Sequence, residues 1–224
     1  MTDDQIRAQQ TRAAWGRIEA WLEEHAPRSH RRLPAPATEE AIQAVERELD
    51  VVLPADLRAF YTLHNGTGPD ADFAWPTWDG PLPIPQDQWD PERDPSGYLL
   101  PDGGIGPVGC LPYWAGGPGG YAGEGDPEQR YVAFVASDPD GFYGLFADCT
   151  PGEGYGTLGW YAEAEAPSPG AWPSFAAYLT EVADALYERR CAGSDRVVPG
   201  VVEECLQWDD PQSPVVEGWR PFDG

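Results

Sequence analysis

Large apolar residues return at helical intervals in three early stretches of the chain and in one late stretch. Between Gln5 and about His25, Trp15, Ile18, Trp21 and Leu22 fall at i, i+3, i+6 and i+7 with Ala14 beside them, which predicts a first helix with one buried stripe. A linker with Pro27, Arg31, Arg32, Pro34 and Pro36 interrupts it. Thr38, followed by Glu39 and Glu40, reads as an N-cap with acids in the first turn, where the helix dipole favours negative charge. Ala41, Ile42, Val45 and Leu49 make the inner face of this second helix. Pro54 suits a first helical position, Leu57, Phe60 and Tyr61 continue the period, and Asn65-Gly66 offers a left-handed C-cap, so a third helix is predicted from about Pro54 to His64.

Between Thr67 and Glu128 the periodicity is lost: Pro, Gly, Asp and Trp alternate without a repeat, which predicts short strands between long loops rather than a helix. Arg130–Ala136 and Phe142–Ala147 are strand-like runs joined by Ser137-Asp-Pro-Asp-Gly141, whose Pro and Gly preset turn dihedrals, so a hairpin is expected. A further strand is predicted at about Gly156–Ala162. Ser174 then opens a helix in which Phe175, Tyr178, Leu179, Val182 and Leu186 recur at 0, 3, 4, 7 and 11. After Arg190 the tail carries Val197, Val198, Val201 and Val202 around Pro199-Gly200, then Trp208, Trp219 and Phe222, which predicts an irregular appendage with one hairpin. The sum is three N-terminal helices, a hairpin with a further strand, and a later helix that should pack on that sheet.

Charge changes this picture in one respect. The 224 residues carry 38 acids and 14 basic residues, all of them Arg, for a net charge of −24. Residues 1–66 hold 11 acids and 8 arginines, net −3, whereas residues 67–224 hold 27 acids and 6 arginines, net −21. Such a surface opposes counterion-release binding to a phosphate backbone, so no nucleic acid partner is expected. Ten Trp, ten Tyr and seven Phe supply enough large apolar surface for a folded core despite the acidity. No basic and apolar leader and no window of about 18 apolar residues is present, so the expectation is a cytoplasmic protein without a membrane partner. Cys110, Cys149, Cys191 and Cys205 form no C-x-x-C pair, and buried thiols are expected rather than a zinc site.

The run Leu49-Asp-Val-Val-Leu-Pro-Ala-Asp-Leu-Arg-Ala-Phe-Tyr-Thr-Leu-His-Asn-Gly66, preceded by Trp15, Trp21-Leu22 and Pro36-Ala-Thr-Glu-Glu-Ala-Ile42, resembles the opening of the SUKH superfamily, the Smi/Knr-type domains. Leu111-Pro-Tyr-Trp114, Gly141-Phe-Tyr-Gly-Leu-Phe-Ala-Asp148, the Gly-rich stretch 151–159 and Pro173-Ser-Phe-Ala-Ala-Tyr-Leu179 are similar to later parts of it. The resemblance covers roughly residues 12–190 and leaves out the tail. It implies a single α+β domain over residues 1–190, with N-terminal helices and one C-terminal helix packed on a mostly antiparallel sheet, here with a Gly/Pro/Trp-rich acidic insert at about 67–128 and an acidic extension at 191–224. It implies no enzymatic chemistry and points to a bacterial immunity protein that neutralises a polymorphic toxin, often a nuclease or deaminase. The alternative within the superfamily is a regulatory or scaffolding module that binds endogenous proteins.

Chemical motifs are few. Gly104-Ile-Gly-Pro-Val-Gly109 and Gly154-Tyr-Gly-Thr-Leu-Gly159 both satisfy G-x-G-x-x-G, but neither is expected between a strand and a helix that could hold a pyrophosphate, so no cofactor is predicted. His25, His30 and His64 have no metal-ligand spacing, and no Ser lies in G-x-S-x-G. Acid pairs at Asp70/Asp72, Asp138/Asp140, Glu163/Glu165, Glu203/Glu204 and Asp209/Asp210 read as a solvated face rather than as catalytic dyads. No catalytic residue is therefore predicted. An interface needs aromatic anchors and complementary charge, and Asp70, Asp72, Trp75, Trp78, Asp79, Trp89, Asp90, Glu92 and Asp94 supply both in one segment. The expected partner is a basic protein, such as a cognate toxin whose phosphate-binding groove this segment would fill.

Overall fold

The structure, a computed structural model, describes residues 1–68, 97–114, 129–137, 143–162 and 165–223. It is an α+β arrangement in which helices lie against an antiparallel sheet.

Helix α1 (Asp3–His25) starts in a capping box: the Thr2 hydroxyl accepts from the Gln5 amide at 3.3 Å, and the Gln5 side chain accepts from the Thr2 amide at 3.0 Å. Its buried stripe holds Ala14, Trp15, Ile18, Trp21 and Leu22 as the periodicity predicts, with Thr11 added one turn earlier. The linker contains a short helix, α2 (Pro27–Arg31), which the sequence reading missed although Pro27 occupies the position where a missing N–H costs nothing. Helix α3 (Glu39–Leu49) has Thr38 as N-cap, accepting from the Ala41 amide at 3.1 Å, and ends on a left-handed Asp50.

Helix α4 (Ala55–Tyr61) is shorter than predicted. Pro54 lies at its N-cap, outside the first turn, and the helix closes on Thr62 rather than on Asn65-Gly66. Those two residues have a tertiary task instead. The Asn65 carboxamide oxygen accepts from the Val108 amide at 2.8 Å, and Gly66 (φ +91°) presses so closely on strand β1 (Gly104–Ile105) that a Cβ would come within 2.6 Å of the Ile105 carbonyl oxygen. The stretch after β1 also contains helix, against expectation: a 3₁₀ turn at Val108–Cys110 runs into α5 (Leu111–Trp114), whose Pro112 sits in the first turn and so breaks no hydrogen bond.

Strands β2 (Tyr131–Ala136) and β3 (Gly144–Asp148) form the expected hairpin, and β4 (Leu158–Tyr161) follows. Strand β5 (Ser168–Trp172), which Pro169 and Gly170 hid from pattern reading, completes an antiparallel sheet in the order β1-β2-β3-β4-β5. A bulge between Ala133 and Val135 breaks the alternation, so Val132, Phe134 and Val135 all face the helices while Ala133, Ala136, Phe146 and Tyr161 cluster on the other face. Helix α6 (Phe175–Glu188), N-capped by Ser174, packs against α1, and α1 packs in turn against α4. The core centres on Trp15, Phe60, Phe134 and Phe175, whose rings meet edge to face in the pairs Trp15–Phe60, Phe60–Phe175 and Phe134–Phe175 at 4.8, 5.8 and 5.3 Å.

The tail is more ordered than an irregular appendage. Strands β6 (Val198–Val202) and β7 (Cys205–Asp209) make a hairpin whose turn residues Glu203 and Glu204 both have positive φ, as a type I′ connection demands. Its tip sits on α2: the Arg28 amide donates to the Glu204 carbonyl at 3.1 Å, and Arg28 and Arg31 pair with the Glu203 and Glu204 carboxylates at 3.4 and 3.1 Å. Leu206 is fully buried, and Phe222 lies against Trp21 and His25 at 5.0 and 4.6 Å.

Candidate functional site

The segment that sequence reading selects for partner binding, Asp70, Asp72, Trp75, Trp78, Asp79, Trp89, Asp90, Glu92 and Asp94, lies outside the described residues. So do the acid pair Asp138/Asp140 and Glu163 of the pair Glu163/Glu165. The remaining acidic pairs are not simply solvated. Glu203 and Glu204 hold the hairpin tip to α2, and buried Asp209 takes amide hydrogens from Asp210, Val215 and Val216 at 2.8–2.9 Å, which orders the final loop.

Two other buried carboxylates also organise backbone. Asp56 accepts from the Leu57 amide of α4 at 3.0 Å and from the Ala176 amide of α6 at 3.1 Å, so one anion satisfies orphan donors at two helix N-termini. Asp102 accepts from the Tyr178 hydroxyl at 2.8 Å, the Ser194 amide at 3.0 Å and the Ser194 hydroxyl. Burial pushes its carboxyl above the usual Asp range, against the lowering effect of the Ser194 and Tyr178 hydrogen bonds. A raised folded-state pKa favours the fold below the unfolded value and loses that contribution as pH climbs through the folded one. The Asp102→Asn variant, which does not titrate there, should gain stability relative to the parent as pH rises from 3 towards 7. Urea unfolding of both proteins across that range checks it, and a pH-independent difference would contradict the assignment.

An open concavity of about 920 Å³ lies where the end of α3 meets the β3–β4 connection. One wall is Gln43, Glu46 and Arg47 of α3 with the left-handed Asp50 and the two residues after it, Val51 and Val52. The other is Pro151, Gly152 and Tyr155, with Arg130 and Cys149 between them. The walls are fixed locally. The Cys149 amide donates to the Arg130 carbonyl at 2.8 Å, the Arg130 amide to the Thr150 hydroxyl at 2.9 Å, and the Tyr155 hydroxyl to the Val52 carbonyl at 3.2 Å across the cleft. Glu46 is committed to the Leu53 amide at 3.0 Å and faces Arg58 at 3.9 Å. Val52 is 67% exposed, a large apolar side chain on an open rim. Burial, followed by the charges of Cys149, Asp4, Asp56 and Glu46, pushes the Tyr155 phenol up to about 12. The Cys149 thiol is also raised, chiefly by burial, and so is a poor nucleophile.

A second concavity at the C-terminal end of α6 is lined by Glu181, Asp184, Arg189, Arg190, Cys191, Arg196 and Val198. Its charges largely cancel. Asp184 pairs with Arg17 at 2.7 Å and with Arg190 at 3.5 Å, while Glu181 takes hydrogens from Trp172 Nε1 and the Gly193 amide at 2.8 and 3.2 Å. The negative end of the helix dipole there disfavours an added anion. Among the described residues no group of three His, Cys, Asp or Glu is placed to hold a metal ion, and no helix is long and apolar enough to cross a membrane. The two G-x-G-x-x-G stretches fall on a strand leading into the short helix α5 and on the loop entering β4.

Helices α3 and α4, the antiparallel sheet and the first half of α6 fall within residues 36–181, which match the family model of the SMI1 / KNR4 family (SUKH-1). The chain belongs to the SMI1/KNR4 family. Two similar proteins are KNR4/SMI1 homologs of fungi: that of Yarrowia lipolytica is 36% identical over 64 residues, and that of Kluyveromyces lactis is 38% identical over 53 residues. Those alignments take in 29% and 24% of this chain but only 9% and 10% of the fungal proteins, so the chain spans about a tenth of their length. The SMI1/KNR4 match ends within α6, and the β6–β7 hairpin that docks on α2 lies beyond it. Charge and aromatic content pointed sequence reading to the acidic insert. The cleft beside Tyr155 was missed because its residues come from three separate stretches, each of which reads as scaffold or turn.

Proposed function

We propose that this SMI1/KNR4 domain is a non-enzymatic binding protein that neutralises a basic toxin domain, of the nuclease or deaminase class, by direct contact. The observation that carries the reading is charge placed on a family scaffold: residues 67–224 hold 27 acids against 6 arginines. A nuclease needs cationic groups where phosphate binds, and an anionic surface with aromatic anchors competes for them. In this reading Trp75, Trp78 and Trp89 anchor the contact, while Asp70, Asp72, Asp79, Asp90, Glu92 and Asp94 steer the encounter. The buried carboxylates support a binding rather than a catalytic role, since Asp56, Asp102 and Asp209 are each spent on backbone or hydroxyl donors.

The test is co-expression with the product of the adjacent gene. A 1:1 complex that abolishes the neighbour's toxicity supports the proposal, and absence of a complex overturns it. Within such a complex, raising salt from about 20 to 200 mM should slow association about tenfold or more, as steering charges are screened. The triple variant Asp90→Asn, Glu92→Gln, Asp94→Asn should flatten that dependence in stopped-flow measurements. Similarity to the two fungal KNR4/SMI1 homologs favours a second reading, a regulatory or scaffolding module. Recovery of several housekeeping proteins and no toxin in a host pull-down would select it.

A further inference from the structure

We infer that one water molecule is an integral part of the core, bound where α1, α4 and the start of α6 meet and held by the Thr11 hydroxyl, the Trp15 indole N–H and the Asp56 carboxylate. It serves the packing of these helices, independently of any partner.

Three fully buried residues are short of partners at this place. Thr11, Trp15 and Asp56 are each sealed from solvent, and among the described residues neither Thr11 Oγ1 nor Trp15 Nε1 has a hydrogen-bond partner. Polar atoms stranded in an interior are rare, because each loses its hydration and receives nothing in return. Asp56 is short in the complementary sense. Its two oxygens accept from the Leu57 and Ala176 amides at 3.0 and 3.1 Å, one each, although a carboxylate accepts about four hydrogen bonds. Two idle donors therefore match one anion with acceptor capacity to spare.

Helix register brings the three together. The Trp15 and Phe60 rings meet at 4.8 Å, and four residues further along both segments Glu19 Oε1 meets His64 Nε2 at 3.0 Å. So α1 and the chain from α4 to His64 run side by side in the same direction, with a constant offset. One turn back from Trp15 and Phe60 stand Thr11 and Asp56, which that offset sets opposite each other. A turn further back, Arg7 reaches the level of Pro54, since a Cβ on Gly156 would meet both of them. Helical side chains lean towards the N-terminus, so the Trp15 indole extends over the turn that carries Thr11.

Size and chemistry then select the ligand. Rings fill the interface where Trp15 faces Phe60, but one turn away the facing side chains are a threonine and an aspartate. Across helices about 8–10 Å apart, two such short side chains leave room for one small bridging molecule. A cation there would face the Trp15 and Thr11 hydrogens, and an anion would face Asp56. Water suits all three, accepting from Trp15 and Thr11 and donating to Asp56, which gives it roughly the three hydrogen bonds typical of buried water.

A crystal structure of the full chain at about 1.5 Å should show one oxygen about 2.7–3.2 Å from Thr11 Oγ1, Trp15 Nε1 and an Asp56 oxygen. Density that misses any of the three, or a direct Thr11–Asp56 hydrogen bond, overturns the inference. In solution, Thr11→Val gives a reading with a definite sign. The variant keeps the β-branched shape and nearly the same helix propensity and removes only the hydroxyl. If Thr11 holds the water, the melting temperature should fall by about 2–4 °C, because the water loses a partner in a buried setting. Were the hydroxyl merely stranded, its removal would leave the melting temperature unchanged or raise it, and either result overturns the inference.

Discussion

Replacing Phe60 by alanine is expected to lower the unfolding free energy by about 3–5 kcal/mol, which in a chain of this size corresponds to a fall in melting temperature of roughly 10 °C or more. Phe60 is fully buried, and its ring contacts Trp15 at 4.8 Å, Tyr61 at 5.7 Å and Phe175 at 5.8 Å. It joins α1, α4 and α6, so a cavity there weakens three packing contacts at once. Rings at this spacing are hard for neighbours to close over, since each is held by its own partners. Phe60→Leu keeps most of the volume and should cost about 1 kcal/mol. A useful contrast is Trp15→Phe. The Trp15 indole N–H is buried without a hydrogen-bond partner among the described residues, so the smaller ring loses contact area but also removes an unsatisfied donor. Thermal and urea unfolding of the three variants should rank them Phe60→Ala worst, and a near-neutral Phe60→Ala would contradict the core described above.

The second large effect is expected at Asp56. Asp56→Ala removes the acceptor for two amides, Leu57 in α4 and Ala176 in α6, in a fully buried setting. Stranding two such donors costs about 2–4 kcal/mol. Ser174 still caps α6 through the Ala177 amide at 3.0 Å, so the helix should start one position less firmly rather than unwind. Asp56→Asn keeps one acceptor oxygen but forfeits the negative charge at both helix ends, and an intermediate loss is expected. Hydrogen exchange checks the mechanism as well as the magnitude. Protection should fall first at the amides of Leu57 and Ala176, and uniform loss across the molecule would point to a different cause.

Much of this architecture was legible because local and tertiary signals coincide. Thr38 and Ser174 cap the helices they were expected to cap, and the stripes Trp15–Leu22 and Phe175–Leu186 face inward as their spacing requires. Errors arose where a residue with strong local chemistry serves a distant partner. Asn65-Gly66 looks like a helix stop, yet Asn65 serves the Val108 amide and Gly66 makes room for the Ile105 carbonyl. Strand β5 was hidden because Pro169 and Gly170 are poor strand formers, tolerated there on what is the edge of the sheet among the described residues. Pro112 hid α5 in the same way. For the site, composition pointed to residues 70–94, whereas the cleft beside Tyr155 is assembled from three stretches of the chain, residues 43–52, Arg130 and residues 149–155, and leaves no pattern in one dimension.

The docking of the last hairpin on α2, and of Phe222 on Trp21 and His25, sets an order of events during synthesis. The apolar stripe of α1 is synthesised well before the surfaces that cover it, on α6 and at residues 205–222. Until those emerge, Trp15, Ile18, Trp21 and Leu22 are covered only in part, by α4. The nascent chain therefore carries an adhesive amphipathic rod through the intervening elongation, which makes it a client for holding chaperones and makes termination near residue 190 a route to insoluble product.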